Sequence, residues 1–240
     1  MTSVRPVAIQ HNRLLASLAK RDRALLDPHL KEVTLRARDV LYESQDDIQQ
    51  VYFPHHGMIS ILTVTDDGEA IETAAIGPEG AVGALAGLGM RRVFGRAVVQ
   101  IAGSAARISA TQLQLAARES DRIRDMILRS NEVLTMQAQQ TAACGALHGV
   151  EARLARWLLQ AQDRSGSGAF QLIQEFLAQV LGVRRTTINV AVRALQGAGL
   201  IRYRRGQIEI LDRSGLMNQS CSCYRIIRRQ LDQTLTRGKA

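Results

Sequence analysis

Between Leu177 and Leu200 the sequence reads LAQVLGVRRTTINVAVRALQGAGL, and its arginines, threonines and amide are spaced for recognition rather than bond-breaking. Counting about 100° per residue along a helix that begins near Arg184, Ile188, Val192 and Leu195 fall on one side. Thr186, Asn189, Val190 and Arg193 fall on the other. That second face offers a hydroxyl, an amide, a small apolar group and a guanidinium. Such a set hydrogen-bonds to base edges and meets a thymine methyl in a major groove. Arg184, Arg185 and Thr187 stand at the helix start, placed for phosphates or outer bases. Downstream, Arg202, Arg204 and Arg205 surround Gly206 in LIRYRRGQIEIL, a strand-turn-strand pattern whose arginines suit a sugar-phosphate backbone.

Other residues that do chemistry are sparse. No nucleophile–base set, Walker-type loop or catalytic carboxylate pair is visible, and Asp66-Asp67 before Gly68 reads as a turn; no catalytic residue is assigned and no enzyme is expected. The histidines are His11, His29, His55, His56 and His148. His55 and His56 are adjacent on an expected strand and so point to opposite faces, which prevents both from serving one ion. The three cysteines are too few for a disulfide framework, and Cys221-Ser222-Cys223 lacks the C-x-x-C spacing of zinc or redox sites. Helix packing is their expected role, with a thiol redox sensor as a minor alternative. No metal site is assigned, and the chain itself names no cofactor.

These groups need elements to hold them. A helix that must stop abruptly needs a residue tolerant of left-handed backbone, and Gly182 occupies that place, with Ala178 small where two helices would cross. Leu177, Leu181, Val183, Ile188 and Ala191 supply the contacts between the pair. Towards the N-terminus, NRLLASLAKRDRALL (12–26) has helical spacing. Residues 31–107 then carry seven or eight short Val/Ile/Tyr-rich stretches separated by turn signals, as in a sandwich or barrel-like β domain. Residues 111–150 read as one long helix, with Ile123, Ile127, Leu134, Thr141 and Cys144 as a seam for a second copy or for the β domain. DRSGSGAF (163–170) is a break, and Leu216 to Leu235 reads as a last helix. The expected division is 1–120, 121–150 and 151–240.

Charge follows the same division. Residues 1–150 hold 16 basic and 16 acidic side chains, whereas 151–240 hold 15 and 6, so the whole net charge of +9 sits in the C-terminal part. A confined excess of this kind suits a polyanion. The N-terminal stretch lacks the apolar core of a signal peptide, and no stretch is long enough to span a bilayer. A cytoplasmic protein without membrane contact is expected.

Taken with VYFPHHGMISI, GPEGAVGALAG and QEFLAQVLGVRRTTINVAVRALQGAGLI, this arrangement resembles the Crp/Fnr family of bacterial transcription regulators. The resemblance covers most of the chain. It implies an α+β protein: an N-terminal cyclic-nucleotide-binding-type β-roll, a long central dimerisation helix and a C-terminal winged helix-turn-helix domain. It also implies a homodimer acting on double-stranded DNA and RNA polymerase, with a small-molecule effector. The matching effector positions are Gly83, Leu85, Arg96 and Ala97. Members that bind cyclic AMP have a glutamate where this chain has Ala84, which offers no carboxylate to the ribose hydroxyl; this argues against cyclic AMP. Members resembling the catabolite activator present an Arg-Glu pair and a later Arg where this chain has Arg185, Thr186 and Val190, so a different half-site is expected. An iron–sulfur cluster of the Fnr branch needs about four thiolates, against three cysteines here. The competing reading is a cyclic-nucleotide or small-molecule signalling module whose basic part meets a protein or membrane.

Overall fold

The computed structural model describes residues 12–236; His11 lies outside them. The described residues begin with two short helices, α1 (Arg13–Ala16) and α2 (Lys20–Arg23), rather than the single helix that the spacing predicts. Asn12 causes the first of these turns: its Oδ1 accepts from the Leu14 and Leu15 amides while its Nδ2 donates to the Pro54 and Gly80 carbonyls.

Five antiparallel strands follow: β1 (Lys31–Leu35), β2 (Val40–Tyr42), β3 (Gln50–Val64), β4 (Ala70–Ile76) and β5 (Arg96–Ser109). They form one sheet in the order β1-β5-β3-β4, with β2 also on β5. Sequence spacing predicts seven or eight strands because the two longest each look like two. The β3–β5 register shifts between Pro54 and Ile59. There Gly57 takes φ +93°, and a Cβ on Gly103 would lie 2.0 Å from the His56 carbonyl oxygen. Bulged glycines bend a strand without ending it, and along the sequence such a bend looks like a turn. Leu35, Ile59, Ile76, Val82, Ala97, Val99 and Ala105 form one buried apolar cluster of this domain.

The long helix predicted over 111–150 is two, α3 (Ala110–Glu119) and α4 (Asp121–Leu147), and α5 (Val150–Ser165) follows them. Ser120 breaks the first pair, with extended backbone and a hydroxyl oxygen that accepts from the Ile123 amide while donating to Asp22 at 2.7 Å. The predicted seam on α4 is largely spent within the chain. Ile123 and Ile127 are fully buried against the β domain, and Cys144 is buried against Cys221 and Cys223.

Beyond Gly166 come β6 (Ala169–Gln171), α6 (Gln174–Leu181), α7 (Arg185–Gly197), β7 (Ile201–Arg204), β8 (Gln207–Ile210), α8 (Arg213–Gln219) and α9 (Cys223–Thr236). The last helix expected from the sequence is split where Ser220 turns extended, and β6 joins the hairpin in a sheet of order β6-β8-β7.

The C-terminal part is docked on the outer side of β3–β5, because Met58, Ala75 and Ile101 share one apolar cluster with α5, α6 and α7. Polar pins reinforce the contact. Fully buried Trp157 donates to Glu72 at 2.9 Å, Ser60 donates to the other Glu72 oxygen, and buried Arg164 pairs with Glu79 at 2.7 Å. Among the described residues no helix is long and apolar enough to cross a membrane.

Candidate nucleic-acid interface

α6 stops at Gly182 through a Schellman pattern. The Val183 amide donates to the Ala178 carbonyl at 3.0 Å, the Gly182 amide donates to Gln179 at 3.1 Å, and Gly182 adopts φ 59°, ψ 45°. A side chain there would strike the β domain as well, since a Cβ would lie 2.7 Å from Ile71 Cδ1. The turn delivers the chain into α7 with Ile188, Ala191, Val192 and Leu195 buried against Leu177, Ala178 and Leu181.

The opposite face of α7 is open. Thr186, Thr187 and Arg193 are exposed, and Val190 presents 62% of its surface, more than any other large apolar side chain of the C-terminal domain. Asn189 is half-buried, and its Oδ1 is buried with no hydrogen-bond partner among the described residues. An unpaired buried acceptor is costly, and outward rotation of the amide relieves it. Arg184 and Arg185 are exposed at a helix start that has no side-chain cap and no acidic residue in its first turn. Two positive charges oppose the dipole at that end until an anion arrives, which is the electrostatic demand that a phosphate meets.

The hairpin that follows turns on Arg205 (φ 51°) and Gly206 (φ 77°), the two successive left-handed residues of a tight two-residue connection. Arg204 and Arg205 are exposed at its tip. Arg202 pairs across the strands with Glu209 at 2.7 Å, so part of its charge is already answered. The hairpin's base is fixed by Arg213 and Tyr224, which both bond to Asp163 on α5, at 2.7 and 2.9 Å.

The first turn of α7 also borders a groove of about 910 Å³ shared with the β domain, where Arg184 and Arg185 face a wall containing Arg38, Glu69 and Gln100. The groove ends at the helix start and leaves Thr186, Val190 and Arg193 uncovered.

The effector positions are dispersed in role. Gly83 holds a left-handed turn beside Ile48, and Leu85 packs partly on the α3–α4 core. Arg96 pairs with Glu43 at 2.9 Å. Ala97 is fully buried among Ile59, Ile76 and Val99. Sequence spacing missed one cluster altogether: Cys144, His148, Cys221 and Cys223 converge at the foot of α4. Its four members come from two segments some 75 residues apart, so only the fold reveals it.

Residues 152–219 match the Crp-like helix-turn-helix domain. No curated protein matches the chain. Among solved structures, FixK2 from Bradyrhizobium japonicum is similar with a TM-score of 0.66 and 19% identity, over 80% of this chain and 98% of that one. The c-di-GMP responsive global regulator CLP of Xanthomonas campestris gives 0.64 and 17%, over 80% and 99%. TTHA1359, a CRP/FNR-family transcriptional regulator from Thermus thermophilus, gives 0.63 and 19%, over 79% and 98%. The Crp-like helix-turn-helix match favours the nucleic-acid reading over a signalling module that meets a protein or membrane. The chain thus carries a Crp-like helix-turn-helix domain over residues 152–219 and shares the overall fold of these solved regulators.

Proposed function

We propose that the chain is a sequence-specific DNA-binding transcription regulator that acts as a homodimer and carries a diverged sensor domain. The observation that carries this reading is the uncovered α7 face, with its Thr186, Asn189, Val190 and Arg193 set beside the exposed Arg184, Arg185 and Thr187. The α7 face reads base edges, and the arginines of the α7 start and of the hairpin tip bind phosphate. Its work is binding rather than bond-breaking, done in the cytoplasm where its DNA lies, with RNA polymerase recruited or blocked at the bound promoter.

Dimerisation uses a side of α4 other than its buried face. Leu128, Thr135 and Ala142 lie seven residues apart, Asn131, Ala138 and Gly145 each follow them by three, and Leu128 exposes 53% of its surface. That spacing is the stripe of a two-helix contact. For the sensor domain, the Arg96–Glu43 pair and the buried Ala97 support an input other than a cyclic nucleotide. The division 1–120, 121–150 and 151–240 fits this assignment of tasks.

Selection of bound sites from random duplex tests the reading. A symmetric site is expected, with half-site centres about 34–36 Å apart or a multiple of this. Binding that shows no preference over random duplex at moderate salt contradicts it.

A further inference from the structure

Cys144 lies near the end of α4 and His148 caps that helix, four residues on and so on the same face. Cys221 and Cys223 flank the turn between α8 and α9. Cys144 Sγ and Cys221 Sγ are 3.5 Å apart, Cys223 Sγ is 3.6 Å from His148 Nδ1, and the four ligand atoms all lie within 4.8 Å of one another. The three thiols are buried and the imidazole is half-buried.

We infer that Cys144, His148, Cys221 and Cys223 form a closed four-ligand site for one thiophilic divalent cation of the Zn²⁺ class, which ties α4 to the C-terminal domain. The donor set is that of structural zinc. Tetrahedral bonds of about 2.3 Å to sulfur place neighbouring ligand atoms roughly 3.8 Å apart, close to the spacing seen here. An iron–sulfur cluster stands between its thiolates and needs them further apart than this cage sets them. A Cys144–Cys221 disulfide uses two of the four groups and gives Cys223 and His148 no part.

Electrostatics favours the ion too. Three thiolates and a dication carry one net negative charge, and Arg153 and Arg156 both lie within electrostatic reach of Cys144 and Cys221. The Nε atoms of both arginines are buried without a hydrogen-bond partner among the described residues. Metal thiolates give both guanidinium groups a counter-charge beyond the Glu72 carboxylate that already acts on Arg156. The surrounding hydrogen bonds are of the kind that orient ligands: Gln140 Nε2 donates to Cys223 Sγ at 3.1 Å, and the Cys221 amide donates to the Ala152 carbonyl at 3.4 Å. Each thiol gives its proton to solvent as its bond to the metal forms. The absence of a metal site, expected from the C-x-C spacing alone, is thereby revised.

Titration of the reduced, chelator-treated full chain with Co²⁺, followed by Zn²⁺ displacement, tests the site. One equivalent per chain is expected, with the intense visible bands of a tetrahedral thiolate centre, bleached by Zn²⁺, and a higher melting temperature on loading. Cys144→Ser and Cys221→Ser should abolish the bands. His148→Ala, at the half-buried edge, should keep the fold while lowering affinity more than roughly tenfold, since even supporting partners are worth 10–100-fold. Overturning results are no Co²⁺ binding, an octahedral spectrum, binding that survives Cys221→Ser or is unchanged in a folded His148→Ala protein, or iron with acid-labile sulfide in the protein as isolated.

Discussion

At the scale of single residues, the proposed readers and anchors separate by position. Arg193 is exposed on the α7 face and stands for base contacts; Arg205 sits at the hairpin tip and stands for phosphate contacts. Arg193→Ala is therefore expected to cost about 1–3 kcal/mol on the selected site while sparing random duplex. Arg205→Ala is expected to weaken binding uniformly and reduce the slope of log K against log salt by about 1. Fluorescence anisotropy across a salt series distinguishes the two. Gly182→Ala strains a left-handed residue and drives a methyl into Ile71, so thermal unfolding should show a loss of at least about 1–2 kcal/mol. The inward set Ile188, Val192 and Leu195 was legible from helical spacing, as was the stop at Gly182. The pairing of Arg202 with Glu209 was not, because cross-strand partners depend on hairpin register.

At the scale of elements, α4 has one face buried in the chain's own core and another proposed for dimerisation. Ile127 belongs to the chain's own core, so Ile127→Ala should lower stability by about 2–5 kcal/mol through cavity formation without changing the subunit count. Leu128, one residue on and about 100° further round the helix, is half exposed, and Leu128→Arg should turn the proposed dimer into a folded monomer under light scattering. The helical periodicity of this region was readable, yet the seam drawn through Ile123, Ile127 and Cys144 belongs to internal packing. Periodicity shows that a face is apolar; it does not show whether the chain's own sheet or another copy covers it. The same gap explains the strands. Pro54, Gly57 and Gly103 look like turn residues in sequence, while in the fold they bend two strands that continue past them.

At the scale of the whole molecule, the C-terminal domain is held on the β domain by a buried carboxylate. Burial raises Glu72 above the ordinary carboxylate range, against the opposing pull of the Ser60 hydroxyl, the Trp157 indole and the Arg156 and Arg164 guanidinium groups. A group that binds its proton more tightly when folded contributes most stability below its unfolded value of about pH 4.3 and loses it as pH rises through the folded value. Glu72→Gln keeps an acceptor for Trp157 and removes that loss. Its stability relative to the parent chain should climb with pH over this window in urea unfolding, and a pH-independent difference would contradict the assignment. None of this docking was readable from sequence, because Glu72 and Trp157 lie 85 residues apart and nothing between them announces the pair. The open face of α7 is proposed to read DNA sequence. The most direct test is the affinity ratio between the selected duplex and random duplex at about 0.15 M salt, measured for the parent chain and for Arg193→Ala. A parent ratio of at least about 10³ is expected, reduced roughly tenfold or more by the substitution. A parent ratio near unity, or one that Arg193→Ala leaves unchanged, would contradict it.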